Sequence, residues 1–199
     1  MLWKYYPSSS DPATRAQAAE IIRQAAPYTA SVGAKVILLP VGQPDDLTPE
    51  RARDNLVNVL KECVPAAEAA GVVYAVENVG EALALTPEHL IEIVERVASP
   101  ACQVYYDVGN AASQGADPVR DIAKLGTRIV MVHVKDRAVA GGKEKLAIIG
   151  EGRIDFAAAA RALHAVGYDG YAVLEVPGTA ETADGIAVRS REALRAAGF

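Results

Sequence analysis

Four residues of chemical interest stand at or beside the ends of short apolar, β-branched runs. Glu77 follows Val-Val-Tyr-Ala-Val, Asp107 follows Val-Tyr-Tyr, His133 ends Val-Met-Val-His, and Glu175 follows Ala-Val-Leu. Three carboxylates gathered at one point repel each other and lose their hydration unless a cation is present. With one imidazole added, the set suits a divalent ion of the Mn, Mg, Co or Zn kind, with positions left open for a substrate. Taken singly, a Glu or Asp at a strand end is more often a helix cap or an ion-pair partner, and a single His is more often a hydrogen-bonded core residue. The weight lies in four such residues recurring at strand ends. His89 and His164 fall mid-helix and read as surface or packing residues.

The elements that must position these residues follow a repeated pattern. Asp11-Pro12, Thr48-Pro49, Thr86-Pro87 and Asp117-Pro118 each open a helical stretch. The Asp or Thr oxygen accepts an orphan amide, and Pro needs no amide partner in the first turn. Gly33, Gly71 and Gly126 follow the ends of three of these stretches, where a left-handed residue can close a helix. Further helices are expected over Asp155–Val166 and Ala183–Ala197. Between the helices lie the apolar runs Lys35–Val41, Val72–Val76, Cys102–Tyr106, Arg128–Val134 and Tyr171–Val176. They are nearly continuous rather than alternating, as strands buried on both faces are. Strands separated by helices imply a parallel α/β sheet with right-handed crossovers. That alternation fits an open doubly wound sheet or a closed barrel, and does not decide between them. In a barrel the strand ends meet at one mouth, where catalytic groups collect. The segment from Arg137 to Arg153, with Ala140-Gly141-Gly142-Lys143-Glu144-Lys145, reads as a polar, Gly-rich loop beside that mouth.

Composition narrows the classes. The 199 residues carry a formal charge of −5 and are 51% apolar, which is compatible with one domain over 1–199 and a substantial core. An acidic balance argues against a nucleic-acid partner. No stretch approaches the roughly 18 apolar residues of a membrane span, and the start of the chain lacks the apolar segment of a signal peptide. Cys63 and Cys102 read as buried free thiols in a reducing, cytoplasmic setting.

Several motifs occur in an order that is itself informative: Val76-Glu77-Asn78, Tyr105-Tyr106-Asp107-Val108-Gly109-Asn110-Ala111, Val132-His133-Val134-Lys135-Asp136, Gly150-Glu151-Gly152-Arg153-Ile154-Asp155-Phe156, and Gly167-Tyr168-Asp169-Gly170 before Leu174-Glu175. Over essentially the whole chain this order resembles the sugar phosphate isomerase/epimerase family, the xylose isomerase-like TIM barrels. The resemblance implies a (β/α) barrel represented by its strands four to eight with their helices, an incomplete barrel whose first three strands are lacking. It implies one metal ion held by Glu77, Asp107, His133 and Glu175. It further implies an isomerase or 3-epimerase of a ketose or ketose phosphate, in which Glu77 and Glu175 also move protons through a metal-stabilised enediolate. Asn110 stands where several free-ketose epimerases have His, and is closer to the sugar-phosphate form. Asn110, Lys135, Arg137 and Trp3 are the expected substrate contacts, and Arg153 is a weaker candidate for phosphate. An inosose isomerase or dehydratase on the same fold is an alternative, as is a truncated, non-catalytic remnant. An apurinic endonuclease is disfavoured because it needs a metal cluster and more histidines. Missing strands leave open sheet edges, so the chain is expected to associate with another chain, a second copy included, or to be poorly stable.

Overall fold

The computed structural model describes residues 4–178 and 182–199. Each Pro-opened helix forms as its cap requires. Asp11 accepts from the amides of Ala13 and Thr14 to start α1 (Pro12–Ser31), and Thr48 caps α2 (Pro49–Ala70). Thr86 caps α3 (Pro87–Val97). Gly71 ends α2 in the left-handed region, whereas α3 ends the same way on Ala98, a non-glycine at φ 57°.

The chain forms two compact units that divide after Tyr105. In the first, β1 (Val36–Pro40) pairs in parallel with β2 (Val73–Glu77), and β2 pairs in parallel with β3 (Cys102–Asp107). Val76, Tyr74, Cys102 and Val104 are buried, in keeping with the near-continuous apolar runs. Helix α1 packs along α2 through Ala18, Ala19, Ile22 and Ala26, which are buried, as are Leu56, Leu60 and Cys63 of α2. The Tyr74 hydroxyl, carried into this core, donates to the Ile22 carbonyl at 2.8 Å, which satisfies its polar end.

The second unit holds α4 (Val108–Ser113), α5 (Pro118–Leu125), β4 (Ile129–Val134), β5 (Asp136–Ala140), β6 (Lys143–Ala147), α6 (Phe156–Ala165), β7 (Ala172–Leu174) and α7 (Ala183–Ala197). β4 and β7 pair in parallel with His133 opposite Val173 and Val134 opposite Leu174. The pairing runs one residue further, because the Glu175 amide donates to the Val134 carbonyl at 3.0 Å. Each unit thus alternates parallel strands with helices, the α/β pattern of the TIM-barrel type.

Two elements differ from the expectation. The polar segment after Arg137 is an antiparallel hairpin, β5 with β6, turning on Gly141 and Gly142 at φ 61° and 73°. Consecutive positive-φ glycines are what a two-residue hairpin turn needs to match strand twist. Helix α4 was not expected either; it begins directly on the residue that ends β3.

Candidate metal centre

Asp107 does two jobs with its two oxygens. Oδ1 accepts from the Asn110 amide at 2.8 Å and so caps α4. Oδ2 is 2.8 Å from Lys135 Nζ and 3.6 Å from His133 Nδ1. The helix cap and the ion pair of this residue each use one oxygen. Burial alone would raise the Asp107 carboxyl, but His133, Lys135 and the Asn110 amide outweigh it and hold the group below the usual carboxylate range.

Glu175 joins the same group from the end of β7. Its Oε2 lies 2.7 Å from Lys135 Nζ and 3.9 Å from His133 Nδ1. The side chain of Glu175 is 44% exposed, against 0% for Asp107 and 12% for His133. Asp107 is thus fixed from below while Glu175 faces solvent. Glu77, buried, is the last residue of β2 and stands in register with Tyr105. Asp107, His133 and Glu175 thus bring two carboxylate oxygens and one ring nitrogen together at the ends of their strands. Oxygen and imidazole donors in such a group suit a divalent ion of the Mn, Mg, Co or Zn kind.

Lys135, one residue beyond β4, is 6% exposed along its side chain. Burial would lower its ammonium, but Asp107 and Glu175 more than compensate and raise it. A Cβ on Gly109 would lie 2.5 Å from the Lys135 carbonyl oxygen and closer still to its Cγ. The glycine in Asp-Val-Gly-Asn therefore makes the space through which the lysine stem reaches the carboxylates.

The remaining expected contacts are placed as follows. Arg137 donates to the Asn110 side-chain oxygen at 3.4 Å. Arg153 donates to the Ala112 carbonyl at 3.1 Å and forms an ion pair with Glu144, so its guanidinium is engaged by a carboxylate rather than open to phosphate. Trp3 lies outside the described residues.

Sequence reasoning missed Asp136. It is fully buried, and its carboxylate accepts from the amides of Arg137 (2.8 Å), Gly150 (2.9 Å), Gly152 (2.9 Å) and Ile154 (3.3 Å). A Cβ on Gly152 would meet that carboxylate and lie 2.5 Å from the Arg137 carbonyl. The Gly150–Ile154 motif is therefore a backbone cradle for Asp136. The only hint in the sequence was the carboxylate beside Lys135 and a later Gly-Glu-Gly.

A family model described as "Xylose isomerase-like TIM barrel" matches residues 4–197. The chain belongs to that family. A protein of Methanocaldococcus jannaschii, MJ1311, is 29% identical over 197 residues, covering 95% of this chain and 65% of its own. The L-ribulose-5-phosphate 3-epimerase UlaE of Salmonella paratyphi A is 33% identical over 173 residues, covering 84% of this chain and 59% of its own. The chain thus spans about three fifths of the length of the curated relatives it matches. Among solved structures, a D-tagatose 3-epimerase-like protein superposes with a TM-score of 0.83 at 28% identity, covering 96% of this chain and 72% of that one. An L-ribulose 3-epimerase superposes at 0.78 with 24% identity, covering 96% and 69%, a likeness of fold. No helix among the described residues is long and apolar enough to cross a membrane.

Proposed function

We propose that this chain acts as a divalent-metal-dependent isomerase or 3-epimerase of a ketose or ketose phosphate, with Glu77, Asp107, His133 and Glu175 as metal ligands. The observation that carries the reading is the convergence of Asp107 and Glu175 on His133, one carboxylate oxygen of each lying 3.6 and 3.9 Å from its Nδ1. The 33% identity to a ribulose-phosphate 3-epimerase supports the substrate class.

A divalent ion of the Mn, Mg, Co or Zn kind supplies the positive charge that a developing enediolate requires. The chain's own residues do the rest. One of Glu77 and Glu175 takes the proton from the carbon next to the substrate carbonyl, and the electron pair moves into the enediolate. The other carboxyl, protonated, returns a proton to the opposite face of that carbon, which inverts it. With one carboxyl as base and the other as acid, the two faces of that carbon are served by different residues. Asn110 and Arg137, joined at 3.4 Å, are assigned to sugar oxygens; Asn cannot act as a base near neutral pH. A reducing, cytoplasmic setting is consistent with Cys63 and Cys102 being free and buried.

Calorimetric titration with Mn(II) tests the centre. A single site is expected, strongly weakened by Glu175→Gln and by His133→Ala; unchanged affinity in both variants rejects the assignment. A panel of ketoses and ketose phosphates in deuterated water then tests the chemistry, by exchange at the carbon next to the carbonyl. Exchange with an inosose alone would favour the isomerase or dehydratase of that substrate. Binding without any exchange would identify a non-catalytic remnant.

A further inference from the structure

Lys135 is placed where a cation is needed. Its ammonium contacts Asp107 Oδ2 at 2.8 Å and Glu175 Oε2 at 2.7 Å. The same two oxygens lie 3.6 and 3.9 Å from His133 Nδ1. A buried ammonium persists only where carboxylates compensate its lost hydration, and here two of them do. Space for the stem is built in, since any side chain at Gly109 would collide with it. Lone pairs engaged by an ammonium are not open to a divalent ion, and two cations sharing the same pair of oxygens repel strongly at such distances.

We propose that Lys135 is a resident counter-cation of the centre, which a divalent ion must displace in order to bind. This rests on the metal assignment above. Without the ion, Lys135 neutralises Asp107 and Glu175 and keeps the carboxylates together. When the ion arrives, the ammonium gives up Glu175, the more exposed of its partners. Asp107 stays, held by the Asn110 amide at 2.8 Å. Metal affinity is thereby set below what the carboxylates alone would produce.

The test is calorimetry with Mn(II) on the full chain, comparing wild type with Lys135→Met, Lys135→Arg and Glu175→Gln. Met preserves most of the stem and removes the charge, so Lys135→Met is expected to bind Mn(II) at least tenfold more tightly. Lys135→Arg keeps a cation and is expected to show no tightening. Equal or weaker binding by Lys135→Met overturns the proposal, as does equal tightening by both lysine variants. If wild type binds no Mn(II) at all, the metal assignment itself fails, an outcome distinct from the first two. Should Lys135→Met not fold, the Lys135 Cε resonance of the wild type, assigned with Lys135→Arg, gives a second reading. It is expected to shift with Mg(II) and saturate with the site; a resonance unmoved at saturation overturns the displacement.

Discussion

Gly109 and Lys135 are in contact across α4 and the end of β4, closely enough that no Cβ fits between them. The contact explains why a glycine tolerates a place inside a helix, and why a lysine tolerates burial. Gly109 gives up helix propensity so that the Lys135 stem can pass, and Lys135 gives up hydration to sit between Asp107 and Glu175.

Gly109→Ala separates these effects. Replacing a helical glycine by alanine ordinarily stabilises a helix by up to about 1 kcal/mol. Overpacking against the Lys135 backbone opposes it, at a cost of about 1–3 kcal/mol. We expect net destabilisation, measured by urea unfolding. A variant more stable than wild type would mean that the stem has room to move aside.

Asp136→Asn probes the backbone cradle. Asparagine keeps the shape but removes the charge, and turns an amide group toward amides that need an acceptor. Four donors converge on this carboxylate, so the expected loss is about 3 kcal/mol. Amide hydrogen exchange at Gly150, Gly152 and Ile154 should accelerate in the variant, while α1 and α2 should be unaffected. Unchanged protection at all three amides would reject the cradle.

Much of this arrangement was legible because its determinants are local. Asp11, Thr48, Thr86 and Asp117 announce their helices through cap chemistry within three residues, and the buried strands announce themselves as apolar runs. Helix α4 was hidden because Val-Gly-Asn-Ala-Ala-Ser has little intrinsic helix preference; it forms because Asp107 caps it. The hairpin was hidden because Lys143, Glu144 and Lys145 are exposed and give no apolar alternation, although the Gly141-Gly142 pair was in view. Asp136 meets partners 14 to 18 residues away, and Lys135 meets its carboxylates through tertiary structure. No spacing rule encodes either.

Metal addition and removal offer a stability readout independent of turnover. A ligand that binds only the folded chain adds about 2.7 kcal/mol at a free concentration one hundred times its dissociation constant. Mn(II) at that level is expected to raise the unfolding free energy by this amount, and a chelator to reverse it. His133→Ala should abolish the gain, while His164→Ala, on α6, should retain it. A gain of equal size in both variants would place the ion elsewhere.

Alkaline pH tests the burial of β3. Cys102 is fully buried, and burial pushes its thiol up from 9.0 to about 12. In the unfolded chain the thiol ionises near its ordinary value, so above about pH 9 the unfolded state sheds a proton that the folded state keeps. The stability tied to this protonated thiol is complete below about pH 9 and is lost as pH rises toward 12, at about 1.4 kcal/mol per pH unit. Tyr74 and Tyr106, also pushed up by burial, act in the same direction, so the total slope does not isolate the thiol. Cys102→Ala does. It should be less stable than wild type at pH 8 through lost packing, and the deficit should narrow by about 1.4 kcal/mol at pH 10. Urea unfolding at the two pH values measures it; a deficit that stays constant would mean that solvent reaches Cys102 in the folded chain.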